Sequence, residues 1–255
     1  MKRYLMWSGG KDSSASLVVC HELGIKIDGV VFSEVMFDHS RGISGEHPRF
    51  IEWIYNTAIP RIESMGYKVI VLRDKSDYIK EFFRIPNARK AERYGKFSSF
   101  FLGGKCVGNR NLKLRPIKRF LKSIDEPYEE IVGIAADEPT RVHRLNCSGK
   151  RSVLVENGIK ESMTYEICYR YGLLSPTYDT ATRAGCWFCP NASIKSFYEL
   201  RRDYPELWNE LVKLSKVPNC ISYGFKYGKT VQEVELAMDR YGNKIENDLE
   251  QIRLF

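Results

Sequence analysis

Three groups of residues in this chain have the types and spacing to do chemistry. The first is Ser8-Gly9-Gly10-Lys11-Asp12-Ser13, with Ser14 directly beyond it. Two adjacent glycines let a backbone pass close to a phosphate with no Cβ in the way. The first N–H groups of a helix that follows such a turn have no partner inside the helix, so they point at an anion. Lys11 adds a full positive charge, Ser13 and Ser14 add hydroxyl donors, and Asp12 can cap the helix or hold Mg²⁺. The plain alternative is a turn that only joins a strand to a helix. The second group is Gly133-Ile134-Ala135-Ala136-Asp137-Glu138, with Arg141 and Arg144 just beyond. Carboxylates beside arginines at a strand end position metal, ribose or phosphate, or else form a surface salt-bridge cluster. The third group is Cys186-Trp187-Phe188-Cys189-Pro190, with Cys106 80 positions before Cys186. Two thiolates at this spacing clamp one metal ion or two corners of a cluster, or form a redox pair.

The elements that position these groups follow from periodicity. Residues 3–7 read as a strand and 12–23 as a helix stopped near Gly24. Ile27 to Phe32, apolar almost throughout, reads as a parallel strand covered on both faces. His39 to Pro48 reads as a loop, and Phe50 to Met65 as a helix with Pro60 as a kink. Lys68 to Leu72 and Ile131 to Ala135 read as the third and fourth strands. Strands alternating with helices imply an α/β fold with a doubly wound parallel sheet, which binds ligands at the carboxyl ends of its strands. The glycine turn, Ser33-Glu34 and the segment after Ala135 all fall at such ends. Residues 1–150 are expected to form this domain, interrupted by an insertion at about 74–126. Residues 151–255 are expected to form a cysteine-motif and mostly helical C-terminal region.

With 255 residues and 43% hydrophobic content, the chain can bury a sizeable core. No apolar run is long enough to span a bilayer, which excludes a helical membrane protein. The first residues enter a strand at once, so no secretory leader and a cytoplasmic location are expected. There disulfides are uncommon, and the seven cysteines are expected to be buried, metal-bound or reactive. The net charge of +8 is concentrated between Arg84 and Lys122. That segment holds twelve Lys or Arg against one acid, Glu92, so the rest of the chain sums to −3. Tyr94, Phe97, Phe100, Phe101 and Phe120 are interleaved with the charges. Such a segment suits a nucleotide phosphate or a nucleic acid, or forms a solvated basic face.

The glycine turn is neither a Walker loop nor a dinucleotide fingerprint. It resembles the PP-loop of the ATP pyrophosphatase (adenine nucleotide alpha hydrolase) superfamily. The Gly133–Arg144 segment resembles the G-[IL]-R-x-D-E-S-x-x-R motif of its phosphoadenosine phosphosulfate (PAPS) reductase-like family, with Ala135 in place of the first arginine and Pro139 in place of the serine. Arg183 with Gly185-Cys186 through Pro190 matches that family's R-x-G-C-x-x-C-P pattern. The resemblance implies a Rossmann-like, HUP-type fold. It also implies ATP or a related adenine nucleotide held with Mg²⁺ by Ser8, Gly9, Gly10, Lys11, Asp12, Ser13, Ser14, Phe32, Ser33, Gly133 and Arg141. Lys11, Asp12, Asp137 and Glu138 are the expected catalytic groups.

The family's cluster-bearing members place a tandem cysteine pair about as far before their C-x-x-C as Cys106 lies here, and they bind a [4Fe–4S] cluster. This chain has Lys105 beside its single Cys106. Either Cys220 completes a tetrad with Cys106, Cys186 and Cys189, or one iron stays open. The same cysteines could instead hold structural Zn²⁺ or stay as free thiols. Cys20 is expected in the core, with Cys147 and Cys168 as spare candidates. The histidines at 21, 39, 47 and 143 show no metal spacing, and Glu46-His47 is expected at most to line the nucleotide site.

The first function the resemblance implies is cleavage of ATP between the α- and β-phosphates. An acceptor is adenylated and pyrophosphate released, with sulfur transfer from a donor protein assisted by a cluster. The acceptor would be a small molecule, or tRNA or DNA carried on the basic segment. The second is a sulfonucleotide reductase. The sequence shows no counterpart of that enzyme's E-C-G-[IL]-H nucleophile segment, so a displaced thiol such as Cys220 would have to serve. The third is a nucleotide-gated, nucleic-acid-binding module without turnover.

Overall fold

Strand β1 (Lys2–Trp7) is the central strand of a sheet built on short apolar segments. It pairs in parallel with β2 (Gly29–Glu34), which in turn pairs with β5 (Val69–Arg73). On its other side β1 pairs with β6 (Tyr128–Val132). All six residues of β2 are buried, as expected for a parallel strand covered on both faces. The order β5-β2-β1-β6 makes this an α/β, Rossmann-like sheet. The chain builds outward from β1 through β2 to β5, then crosses back to lay β6 on the far side of β1. The strand order therefore reverses between β1 and β6. The structure is a computed structural model and describes residues 1–87, 90–101, 106–179 and 185–253.

Helix α1 (Lys11–Glu22) follows the glycine turn directly and is buried along most of its length. The expected loop at 39–48 contains β4 (Ile43–Ser44), which pairs antiparallel with β3 (Met36–Asp38) just before the loop. Helices α2 (Pro48–Trp53) and α3 (Ile59–Ser64) are joined by a π-helical turn at Ile54–Ala58. The expected kink at Pro60 is thus taken up one turn earlier, where bonding widens ahead of a residue with no N–H to give. Strand β6 ends at Val132, three residues before its expected end. Gly133 leaves the sheet because its backbone runs against α1: a Cβ on it would lie 2.5 Å from Ser13 N.

The stretch 74–126 is more structural than an inserted basic segment would be. Helix α4 (Tyr78–Phe82) contributes Tyr78 and Phe82 to a buried cluster with Phe100, Phe101 and Leu112. A π-helical turn at Asn109–Leu114 runs into α5 (Arg115–Lys122), which packs on the sheet, with Phe120 edge-on to Tyr4 at 5.2 Å. Its charges are partly engaged. Arg115 and Arg119 converge on buried Asp74, and Arg84 pairs with Glu81. Arg89 and Lys105, counted in the same segment, lie outside the described residues, as does Arg183.

The two cores do not divide at residue 150. Helices α6 (Pro139–Asn146), α7 (Val153–Glu156) and α8 (Glu161–Arg170) follow β6, and Val153, Leu154, Ile167, Cys168 and Leu173 pack with Leu5, Trp7 and Phe32 in the sheet core. The second core joins Val35, Phe37, Tyr78 and Phe101 to Trp187, Phe188 and side chains of α9 (Ile194–Asp203), α10 (Pro205–Ser215) and α11 (Val231–Arg253). Among the described residues, no helix is long and apolar enough to cross a membrane.

Candidate active site and cysteine centre

The glycine turn is shaped by what surrounds it. Gly9 has φ +73°, and a Cβ there would meet Phe50 Cζ at 2.5 Å and Ile54 Cδ1 at 2.6 Å. Both the backbone conformation and the packing demand glycine. Gly10 caps α1 in an extended conformation and brings no side chain to the cap. Ser13 stitches the turn: its Oγ accepts the Ser8 N–H at 3.1 Å and donates to the Gly10 carbonyl at 2.9 Å. Ser14 faces away from any ligand, because its Oγ accepts the Trp7 indole N–H at 2.9 Å inside the core.

Lys11 is held within the fold. Its Nζ donates at 2.7 Å to both Asp12 Oδ1 and Glu161 Oε1 and lies 5.4 Å from the Tyr165 ring centroid. Burial alone would lower its pKa, but the Asp12 and Glu161 carboxylates outweigh burial and raise it above the ordinary lysine value. The Lys11 N–H, one of the free helix N–H groups, donates to the Tyr178 hydroxyl at 3.0 Å. Asp12 therefore does not cap the helix. Its Oδ1 takes Lys11 Nζ and the Thr164 hydroxyl.

Across from the turn, Arg141 donates through NH1 to both Glu138 oxygens, at 2.7 and 2.8 Å, and through NH2 to the Gly133 carbonyl at 3.0 Å. Glu138 also accepts the Ala135 N–H at 3.0 Å. Asp137 accepts the Glu161 N–H at the start of α8. Glu138 and Asp137, two of the groups expected to be catalytic, are thus bonded to Arg141 and to the start of α8. Between the turn and Arg141 lies a cleft of about 240 Å³, lined by Met6, Ser8, Gly10, Asp12, Ser13, Val132, Gly133 and Arg141. It opens at the carboxyl ends of β1 and β6, where the strand order reverses, the usual ligand crevice of an open α/β sheet. A second cleft of about 320 Å³ shares Val132 and Arg141 and adds Ile134, Arg144, Leu145, Ser148 and Lys150.

Ser8, Gly10, Asp12, Ser13, Gly133 and Arg141 are thus brought together as the sequence suggests. Phe32 and Ser33 are not. Phe32 is fully buried against Trp7, and Ser33 Oγ donates to the Lys113 carbonyl beneath the Asn109–Leu114 turn. Met6, Val132, Glu161, Thr164 and Tyr178 were missed by sequence reasoning. The α8 residues are about 150 positions from the turn and carry no motif, so only α8 docking on α1 reveals them.

The cysteines gather elsewhere. Cys186 and Cys189 sit in a turn closed by the Cys189 N–H to the Cys186 carbonyl at 3.0 Å. The exposed Cys106 accepts the Asn109 N–H at 3.4 Å as the head of the helix that continues into α5. Burial pushes the Cys186 thiol well above its usual value, with nearby Glu46, Cys189 and Cys106 adding to the rise and Lys113 opposing it. The three cysteines thus share one electrostatic neighbourhood beside Tyr78. Lys226 Nζ donates to the Pro190 and Ala192 carbonyls and pins the turn from the other side. Cys220 is bonded within its own segment. Its thiol donates to the Val217 carbonyl at 3.5 Å, it is buried in the second core, and burial alone raises its pKa. Among the described residues, no three His, Cys, Asp or Glu side chains sit together as a single-ion site. Glu46 lines neither cleft; it pairs through its backbone with Cys186. Comparison of the chain with protein-family models, with curated proteins and with solved structures gives no match, so its functional reading rests on this geometry and on its sequence motifs.

Proposed function

We propose that this chain is a PP-loop enzyme of the PAPS reductase-like family with a HUP-type fold. It binds ATP in the cleft between the glycine turn and Arg141, adenylates an acceptor and releases pyrophosphate. The observation that carries the reading is the coincidence of three features at one place: a glycine turn opening α1, an arginine anchored opposite it, and the reversal of strand order between them. An acceptor nucleophile would attack the α-phosphorus, the bond to the β-phosphate would break, and the pair of electrons would leave with pyrophosphate. The turn's N–H groups, Ser13 and Arg141 would hold the phosphate oxygens, acting through preorganised dipoles and charge. Mg²⁺, when bound, would offset phosphate charge, with Asp12 as the carboxylate facing the cleft. Lys11 would neutralise Asp12 in the free protein and turn toward phosphate when nucleotide enters. Glu138 and Asp137 act as positioning residues for Arg141 and α8.

Cys106, Cys186 and Cys189 are suited to hold a thiolate-ligated centre, a [4Fe–4S] cluster or Zn²⁺. The fit rests on their shared neighbourhood and on a buried carboxylate oxygen of Glu46 beside Cys186 with no hydrogen-bond partner among the described residues. Such a centre supplies a soft Lewis-acid corner for sulfur transfer from a donor protein. A nucleic-acid acceptor is compatible with the basic residues of 84–122 that form no ion pair among the described residues, such as Lys118 and Lys122. The reductase reading loses support because Cys220, its candidate thiol, is buried and bonded to a carbonyl. The test is pyrophosphate release from ATP across a panel of acceptors, together with nucleotide calorimetry. Binding that weakens on Lys11→Ala supports the reading. Absence of any adenine-nucleotide binding refutes it.

A further inference from the structure

A three-cysteine centre leaves one corner for another ligand, and the geometry points to one other than cysteine. Glu46 is 3% exposed, and its Oε1 is buried with no hydrogen-bond partner among the described residues. Among the described residues it is paired with Lys113, whose Nζ lies at 3.7 Å, beyond hydrogen-bond reach. A carboxylate oxygen left bare in a protein interior is costly, so such a group calls for a partner.

The backbone dictates where this carboxylate stands. Glu46 and Cys186 form an antiparallel bridge, flanked by the Trp187 N–H to the Gly45 carbonyl at 3.1 Å. In that arrangement the facing residues are a non-hydrogen-bonded pair, with side chains on one face and Cα atoms about 4.5 Å apart. The pairing is fixed on both sides. Trp187 Nε1 donates to the Ser44 carbonyl at 2.9 Å, and a Cβ on Gly45 would touch Phe188, Val35 Cγ1 and the Val35 carbonyl, each at 3.0 Å. Lys113 links Glu46 to the helix headed by Cys106, and Lys226 flanks Cys189. Two ammonium groups beside three cysteines and a carboxylate suit a centre that is anionic once its thiols have given up their protons to metal.

We propose that Glu46 is the fourth, oxygen ligand of the metal centre held by Cys106, Cys186 and Cys189. The ligand class is a thiophilic metal, iron of a cluster or zinc, with one corner held by carboxylate. An oxygen-held corner on soft metal is the exchangeable one, and this is where a sulfide or a substrate sulfur would enter. The inference rests on the reading of the cysteines as a metal centre and is independent of the nucleotide cleft.

The experiment uses the full chain, purified anaerobically, with two probes: Co²⁺ alone, and Fe²⁺ with sulfide. Zinc, iron and acid-labile sulfide assays on the purified protein tell the two metal sources apart. Cys220→Ser is expected to leave the Co²⁺ spectrum and affinity as in the unaltered protein. Glu46→Gln is expected to shift the ligand-field bands and weaken Co²⁺ about 10-fold or more, at least the cost of losing an outer-shell partner. Glu46→Cys is expected to raise the thiolate-to-cobalt charge-transfer intensity by about a third, a gain that misfolding cannot produce. The proposal is overturned if Glu46→Gln matches the unaltered protein in spectrum and affinity, or if Cys220→Ser loses thiolate intensity. If the unaltered protein binds neither probe, this inference and the cysteine part of the functional reading both fall, while nucleotide calorimetry still judges the cleft.

Discussion

Gly133→Ala tests the architecture of the cleft most directly. An ideal Cβ at this position lies 2.5 Å from Ser13 N, 2.6 Å from the Asp12 carbonyl carbon and 2.7 Å from Ser13 Cα. All three atoms are backbone, so no side-chain rotation relieves the clash. Restoring ordinary contact at 3.4 Å moves the start of α1 away from β6 by about 0.9 Å. That end of α1 carries Asp12 and Ser13, while Arg141 is tied to the Gly133 carbonyl. Overpacking of this kind costs about 1–3 kcal/mol. The rigid neighbours place Gly133→Ala near the upper end, and for a chain of this length about 2–3 kcal/mol lowers Tm by roughly 4–12 °C. Urea unfolding measures the stability, and calorimetry with ATP measures the site. Gly185→Ala is the control, since among the described residues nothing lies within 4 Å of its Cβ position. The expected result is a destabilised Gly133 variant that binds nucleotide at least 10-fold more weakly, beside a near-neutral control. A Gly133 variant within about 0.5 kcal/mol of the parent, with unchanged binding, refutes the view that close approach of β6 to α1 builds the cleft.

Tyr178→Phe removes the hydroxyl that accepts the Lys11 N–H. It is expected to cost about 1 kcal/mol of stability and to tighten phosphate or nucleotide binding, because the ligand no longer displaces that hydroxyl. Weaker binding in calorimetry would make Tyr178 a ligand contact instead. Glu161→Gln removes one of the two carboxylates on Lys11, and Glu161 is about half exposed. A stability change below about 1 kcal/mol is expected by urea unfolding, with nucleotide affinity preserved or improved as Lys11 is freed. A large loss of affinity would show that Glu161 itself serves the ligand. Asp38 gives the pH dependence. Burial would raise its pKa, but hydrogen bonds from Ser40 and Arg41 outweigh burial and hold it at about 2, below its ordinary 3.8. A depressed folded value means that the stabilisation is complete above pH 4 and is lost as pH falls toward 2. With Arg41 nearly half exposed, screening leaves about 1 kcal/mol. Asp38→Asn is expected to flatten that part of the acid unfolding curve, and an unchanged curve would remove Asp38 from the account.

Much of the sheet was legible in the sequence. Four apolar strands alternating with helices specify a parallel α/β sheet, and three of the four strands lie within two residues of their expected starts. The fourth was read late, because Ile134 and Ala135 continue its apolar pattern while the backbone has already left the sheet at Gly133. The 74–126 stretch was misjudged for a related reason. Charge density marks it as solvent-facing, yet Phe82, Phe100, Phe101 and Leu112 bury its apolar side against residues more than a hundred positions away.

The sequence by itself determined which residues turn the chain and bring charge: the glycine turn at the end of β1, the arginine after β6, and the C-x-x-C turn. Their local geometry follows from backbone rules that act over a few residues. Tertiary structure decided where each side chain ends. It turned Ser14 and Ser33 inward onto Trp7 and the Lys113 carbonyl, held Lys11 to Glu161, bonded the Cys220 thiol to the Val217 carbonyl and set Glu46 beside Cys186. Buried donors, acceptors and charges must find partners, and those partners are supplied by elements far along the chain, which no local pattern records.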